Sequence, residues 1–351
     1  MSGPTMRAAV VHGPGDVRVE DRPVPCPTGT QVLVEVSHCG VCGTDLHLAL
    51  DGWARPGTVG GHEWSGIVRA VAGDGGAVAV GDAVVGGPAP GCGACRSCLD
   101  GRPSLCASHA TPGRGEPDGA FATYVCADER AVVPVPAGLG LRTAALAEPL
   151  AVALHAVTRS GARRGHRVLV SGGGPIGLLV VATLRARGVE EVVISEPHHA
   201  RRDLARAVGA TGVVAPDDLE VPSMAEPRRL VAGAVDVAIE CSGRAAAVSA
   251  ACAQLTTGGR LVLVGSGIAP LALDPNRVLL NELEVTGAFE YDPGGIAAAL
   301  ALLASGAVEL SPLVEAEDVG LDRLPQALVG LADGSIAGKV LVAPGQREGG
   351  P

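Results

Sequence analysis

The sequence predicts an α/β protein in two parts, a β-rich domain followed by a doubly wound parallel sheet flanked by helices. Three observations predict it. Up to about residue 150, short apolar or alternating runs are broken by Gly and Pro, as in a small barrel or curled sheet. From residue 167, uninterrupted Val, Ile and Leu runs alternate with helical stretches, the pattern of a parallel sheet covered on both faces. After residue 287 the alternation stops. A length of 351 residues accommodates two or three domains.

The elements follow in order. Residues 31–36, 66–71 and 83–85 read as strands of the first part. A strand at 167–171 leads into a helix at 175–187, and a strand at 191–195 into a helix at 200–208. A strand at 235–240 leads into a helix at 244–255, and strands at 260–264 and 283–287 close the series. Helices at 296–305 and 324–333 and a last strand at 339–342 complete the chain.

Composition excludes several roles. Hydrophobic residues make up 47% and charged residues 18%, so the chain carries enough apolar material for a packed core and is not disordered as a whole. A net charge of -10 without a basic run argues against nucleic-acid binding. No apolar stretch is long enough to span a membrane. Residues 1–15 lack the apolar region of a secretory leader, so a cytoplasmic protein is expected. Ten cysteines are then not a disulfide framework, because that compartment keeps thiols reduced.

Four of those cysteines cluster as Cys92-x-x-Cys95-x-x-Cys98-x7-Cys106. Four thiolates on short spacers suit tetrahedral, structural zinc. An iron–sulfur cluster shares the opening spacing, but the x7 gap and the lack of a following Pro disfavour it.

A second motif, Gly172-x-Gly174-Pro175-Ile176-Gly177, follows a strand and opens a helix. Glu196 lies 19 residues beyond Gly177, at the end of the next strand. That context marks a dinucleotide site, with the pyrophosphate on the helix N-terminus. Glu196 can accept hydrogen bonds from ribose and would repel a 2′-phosphate, which favours NAD over NADP. Arg201 and Arg202 could instead host a phosphate or form a solvated helix face.

A third set is dispersed: Cys42, Thr44, Asp45 and His47 in one segment, His62 and Glu63 in a second, Glu148 in a third. A thiolate, an imidazole and one or two carboxylates make a catalytic zinc set with room for water or substrate.

With these motifs in this order, the chain resembles the zinc-dependent medium-chain alcohol dehydrogenases from about residue 6 to 342. Glu148-Pro149 resembles the sorbitol, butanediol and threonine dehydrogenase branch. The resemblance implies a GroES-like catalytic domain at 1–152 and 290–351, with a zinc lobe at 91–107, and a Rossmann domain at 153–289. It implies two zinc ions per chain. Cys42, His62 and Glu148 would hold the catalytic one, with water or Glu63 fourth. It further implies that Asp45 orients His62, that Thr44 and His47 relay a proton, and that Val264 and Ser266 approach the nicotinamide. Glu290 stands where polyol dehydrogenases often carry Arg, which weakens transfer of sorbitol-like binding.

The expected activity is hydride transfer between a secondary alcohol, polyol, amino alcohol or cyclitol and NAD, in a homodimer or homotetramer. The partner is a small alcohol or carbonyl compound. Rival readings are a zinc-free quinone or enoyl reductase, an iron–sulfur carrier, and a non-catalytic NAD-responsive binding protein.

Overall fold

The computed structural model describes residues 3–73, 76–88, 90–108, 118–267 and 269–346. Contacts divide the chain into two compact units: Met1–Glu148, Asp292–Ser305 and Val314–Pro351 in one, Pro149–Tyr291 and Gly306–Leu313 in the other.

The first unit opens with β1 (Thr5–Gly13) and β2 (Asp16–Pro23), an antiparallel hairpin absent from the expected strands. β3 (Gln31–Gly40) follows, then α1 (Gly43–Leu50) and β4 (Thr58–Val59), which pairs with β1. β5 (Glu63–Val71) and β6 (Ala83–Gly86) extend the sheet. After α2 (Arg96–Leu99) come β7 (Tyr124–Asp128), β8 (Val132–Pro134) and α3 (Leu141–Ala144), and the first two residues of α4 (Ala147–Ser160), whose remainder, from Pro149, belongs to the second unit.

In β3, Val32, Val34 and Val36 are buried while the residues between them are only partly so, the period-2 alternation of a strand with one face inward. They pack with Trp64, Val68, Val84 and Phe121. β3 and β5 run antiparallel with a register shift near Val36, after which Gly40 stands opposite Glu63. That register places the segment leading to Cys42 beside the segment carrying His62.

In the second unit, β9 (Arg167–Ser171), α5 (Pro175–Ala186), β10 (Glu191–Ser195), α6 (His199–Ala207) and β11 (Gly212–Val214) run outward in one direction. The chain then returns through β12 (Val235–Glu240), α7 (Ala245–Ala253), β13 (Leu255–Leu263), α8 (Pro275–Leu280) and β14 (Glu284–Gly287). The sheet order is β11-β10-β9-β12-β13-β14, every pair parallel. Strand order therefore reverses between β9 and β12, where such sheets bind ligands. β13 starts earlier than its apolar run, because Leu255 pairs with Val235 before the register slips to Arg260 against Val237.

α9 (Gly295–Ala304) and α10 (Leu324–Asp333) lead to β15 (Leu341–Val342), which pairs antiparallel with β3. β15 is shorter than expected: Lys339 makes only an isolated bridge with Val314. The partition also differs from a simple return at residue 290. Residues 306–313 group with the parallel sheet, where a short turn at Ser311–Leu313 packs against α6. Among the described residues, no helix is long and apolar enough to cross a membrane.

Candidate active site

Cys42 caps the N-terminus of α1 from an extended conformation. Its backbone N–H donates to Asp45 Oδ2 at 2.8 Å, and Gly61 N–H donates to Asp45 Oδ1 at 3.1 Å. One buried carboxylate thus ties the Cys42 segment to the His62 segment. Burial pushes the Asp45 carboxyl above its usual range, against the opposing pull of His62. Asp45 acts on His62 through charge, while its hydrogen bonds go to the two amides.

Cys42, His62 and Glu63 each present a ligand atom within 4.8 Å of the others. Glu148, in the first turn of α4 and 5% exposed, stands outside that group but bears on His62 electrostatically. Burial alone would lower the His62 imidazole. The adjacent Cys42 thiolate, with Asp45 and Glu148, instead raises it well above its usual value. Such surroundings favour a cation. The donor set fits zinc, which thiolate, imidazole and carboxylate all bind.

Glu63 is fully buried. Lys339, itself 1% exposed, pairs with Glu63 Oε2, while Glu63 Oε1 has no hydrogen-bond partner. Lys339 Nζ also donates to Val41 O at 2.8 Å. Gly40 makes room for the pair: a Cβ there would lie 2.2 Å from Glu63 Oε2 and 2.9 Å from Lys339 Cε. Sequence reasoning placed Lys339 only as a strand residue. The available signal was that it is the sole lysine of the chain.

Thr44 Oγ1 lies 3.8 Å from Cys42 Sγ. On the same helix, His47 Nδ1 and Asp51 Oδ2 are 2.6 Å apart, and the His47 ring stacks on Trp53 with centroids 4.5 Å apart. Asp51 and Trp53 are orienting partners that the motif reading did not name for His47.

The four cysteines form a separate cluster, with ligand atoms of Cys92, Cys95, Cys98 and Cys106 within 4.8 Å of one another. Backbone N–H groups point at the sulfurs: Cys92 and Ser108 donate to Cys106 Sγ, and Cys95 to Cys92 Sγ, each at 3.3 Å. Hydrogen bonds from Ala107 and Cys98 lower the Cys95 thiol to about 6. Burial pushes Cys98 up to about 12.

In the second unit, Gly172, Gly173 and Gly174 link β9 to Pro175 at the start of α5. Gly177 cannot carry a side chain, since a Cβ would lie 1.9 Å from Gly172 O. Glu196 is 3% exposed and accepts from Gly173 N–H at 2.7 Å and His198 N–H at 2.9 Å. Arg202 Nη1 donates to the backbone oxygens of Glu196 and Pro197, each at 2.7 Å. Arg201 is a partly buried residue of the same helix. After β12, buried Glu240 accepts from the N–H groups of Ser242 and Gly243. The loop of Val264 and Ser266 lies against this turn, with Val264 N–H donating to Glu240 O at 2.8 Å.

Residues 28–137 match the family model "Alcohol dehydrogenase GroES-like domain", and residues 175–305 match "Zinc-binding dehydrogenase". The sorbitol dehydrogenase of Bacillus subtilis (strain 168) is 33% identical over 321 residues, covering 88% of this chain and 89% of that protein. The L-threonine 3-dehydrogenase of Streptomyces coelicolor is 35% identical over 299 residues, covering 84% and 86%. A protein of Sinorhizobium meliloti 1021 described as a zinc-binding dehydrogenase, solved bound to NADP, superposes with a TM-score of 0.85 at 32% identity, covering 97% of this chain and 100% of that one.

Proposed function

Because the chain belongs to the zinc-dependent medium-chain alcohol dehydrogenases, we propose that it transfers a hydride between a secondary alcohol and NAD, with diols, polyols, amino alcohols and cyclitols as the substrate class. The observation that carries this reading is the group of half-buried Cys42 and His62 with buried Glu63, with Glu148 bearing on it.

Cys42, His62 and Glu148 would hold a zinc ion, which supplies Lewis acidity to a substrate oxygen. Cys92, Cys95, Cys98 and Cys106 would hold a second, structural one. NAD, when bound, supplies the redox chemistry. The chain's own part is binding, orientation and proton export. Thr44 accepts the hydroxyl proton by hydrogen bond. His47, fixed by Asp51 and Trp53 and partly open to solvent, passes it outward.

The glycine loop and the N-terminus of α5 receive the pyrophosphate. Glu196, fixed by two backbone N–H groups, is a negative charge positioned against a 2′-phosphate. Arg202 is committed to backbone carbonyls. Both features support NAD over NADP. We further propose a cytoplasmic homodimer or homotetramer, which light scattering on the purified enzyme tests.

An NAD(H)-coupled screen of the four substrate groups, with metal content measured on the same sample, tests the whole reading. Turnover at two zinc ions per chain is expected. No turnover at full zinc loading, or iron in place of zinc, overturns it.

A further inference from the structure

Glu240 ends β12 and is fully buried. Its carboxylate turns back onto the chain that follows. Oε1 accepts from Ser242 N–H at 2.7 Å and from the Ser242 hydroxyl, and Oε2 accepts from Gly243 N–H at 3.1 Å. Burying a carboxylate is costly unless its oxygens are satisfied. Here every partner is a donor of one short turn, so the side chain fits only as a group that accepts at both ends.

The main chain of the same residue reaches the other way. Glu240 O accepts from Val264 N–H at 2.8 Å and from Gly265 N–H at 3.0 Å, and Cys241 N–H donates to Ser171 O at 2.8 Å. The turn is therefore wedged between the ends of β9 and β13, the two neighbours of β12 in the sheet. The joints leave no space for side chains. A Cβ on Gly172 would lie 2.9 Å from Ser242 Cβ, and one on Gly243 would lie 1.9 Å from Ser266 O. If the turn shifts, the Val264–Ser266 loop shifts with it.

Topology says what lies over this floor. In a doubly wound sheet the ligand sits outside the carboxyl ends of the strands. Glu196, just past β10, faces the ribose of one nucleotide, and the glycine loop after β9 takes the pyrophosphate. The sheet order runs β10-β9-β12-β13. The second nucleotide, which carries the nicotinamide, then extends beyond the pyrophosphate over the ends of β12 and β13. The two loops joined through Glu240 are its floor.

We propose that Glu240 is a positioning residue for the nicotinamide half of NAD: its carboxylate sets the Ser242–Gly243 turn and, through that turn, the Val264–Ser266 loop, without touching the cofactor. The inference rests on the NAD-binding reading above.

The test is binding to the full, zinc-loaded chain, measured by titration calorimetry with NADH and with ADP-ribose, which shares the adenosine half and lacks the nicotinamide. Glu240→Gln keeps size and burial but turns an amide N–H toward a donor of the turn. It should weaken NADH roughly tenfold while leaving ADP-ribose within about twofold. Ser242→Ala removes one donor and leaves the strand intact. It should weaken NADH alone by roughly threefold, and it carries the test if the glutamine variant does not fold. Equal weakening of both ligands overturns the inference, because Glu240 would then support the whole sheet end. Unchanged binding of both ligands also overturns it. Failure of the unsubstituted protein to bind either ligand overturns the NAD reading, and this inference with it.

Discussion

The two cysteine-containing donor sets of the first unit are built in opposite ways. The set from Cys92 to Cys106 lies within 15 residues of sequence, grades from exposed Cys92 to buried Cys106, and draws its order from backbone N–H groups aimed at sulfur. The set of Cys42, His62, Glu63 and Glu148 comes from three separate segments. Its two carboxylates are buried, its Cys42 and His62 are half-buried, and a fourth segment brings Lys339 to pair with Glu63. The difference teaches that a local site is a property of spacing, whereas a dispersed site is a property of strand register. Gly40 opposite Glu63, and Leu341 opposite Gly40, are what bring the second set together.

The largest expected effect separates the two sets directly. Glu148→Ala loses one zinc per chain and essentially all turnover while the cysteine cluster keeps its metal. Elemental analysis alongside the coupled assay checks this, and retention of both metals would remove Glu148 from the ligand set. Cys95→Ser should do the converse. It loses the other zinc and lowers the melting temperature by several degrees, yet leaves measurable turnover; an unchanged melting temperature with one zinc lost would deny that cluster a structural role.

His47→Gln tests a residue of the dispersed site that does not hold metal. Both zincs remain, and turnover falls toward the small end of the ~10²–10⁴-fold range typical of acid–base groups, because water can partly replace a solvent-facing relay. The loss should be greatest below neutral pH and partly rescued by added imidazole. A pH–rate profile identical to that of the unsubstituted enzyme would exclude His47 from proton transfer. The smallest effect lies in the second unit. Glu196→Ala should narrow the preference for NAD over NADP, measured as the ratio of kcat/KM values, by about tenfold for each ~1.4 kcal/mol of charge repulsion removed. An unchanged ratio would leave the preference to other residues.

Legibility in the sequence follows the same division. β9, β10 and β12 span the residues the sequence predicts, because the central positions of a strand covered on both faces are apolar. The β1–β2 hairpin was legible but not read: β1 carries the apolar run Ala8–Val11, β2 alternates Val17 and Val19 with charged residues, and a Gly-Pro-Gly turn joins them. The cysteine cluster could be read from spacing alone. The grouping of Cys42 with His62 could not, because a sequence interval of 20 residues says nothing about register. Lys339 was the least legible of all. Its importance depends on which carboxylate the last strand carries it to.

A chain with a single lysine has a single cleavage point for a lysine-specific protease. Here that peptide bond lies behind a side chain that is almost wholly enclosed. The folded enzyme should therefore resist such a protease completely, and any cut would yield one predictable pair of fragments. The rate of that cut would be a clock for the opening of one defined corner of the molecule, where the last strand leaves β3 and releases Glu63.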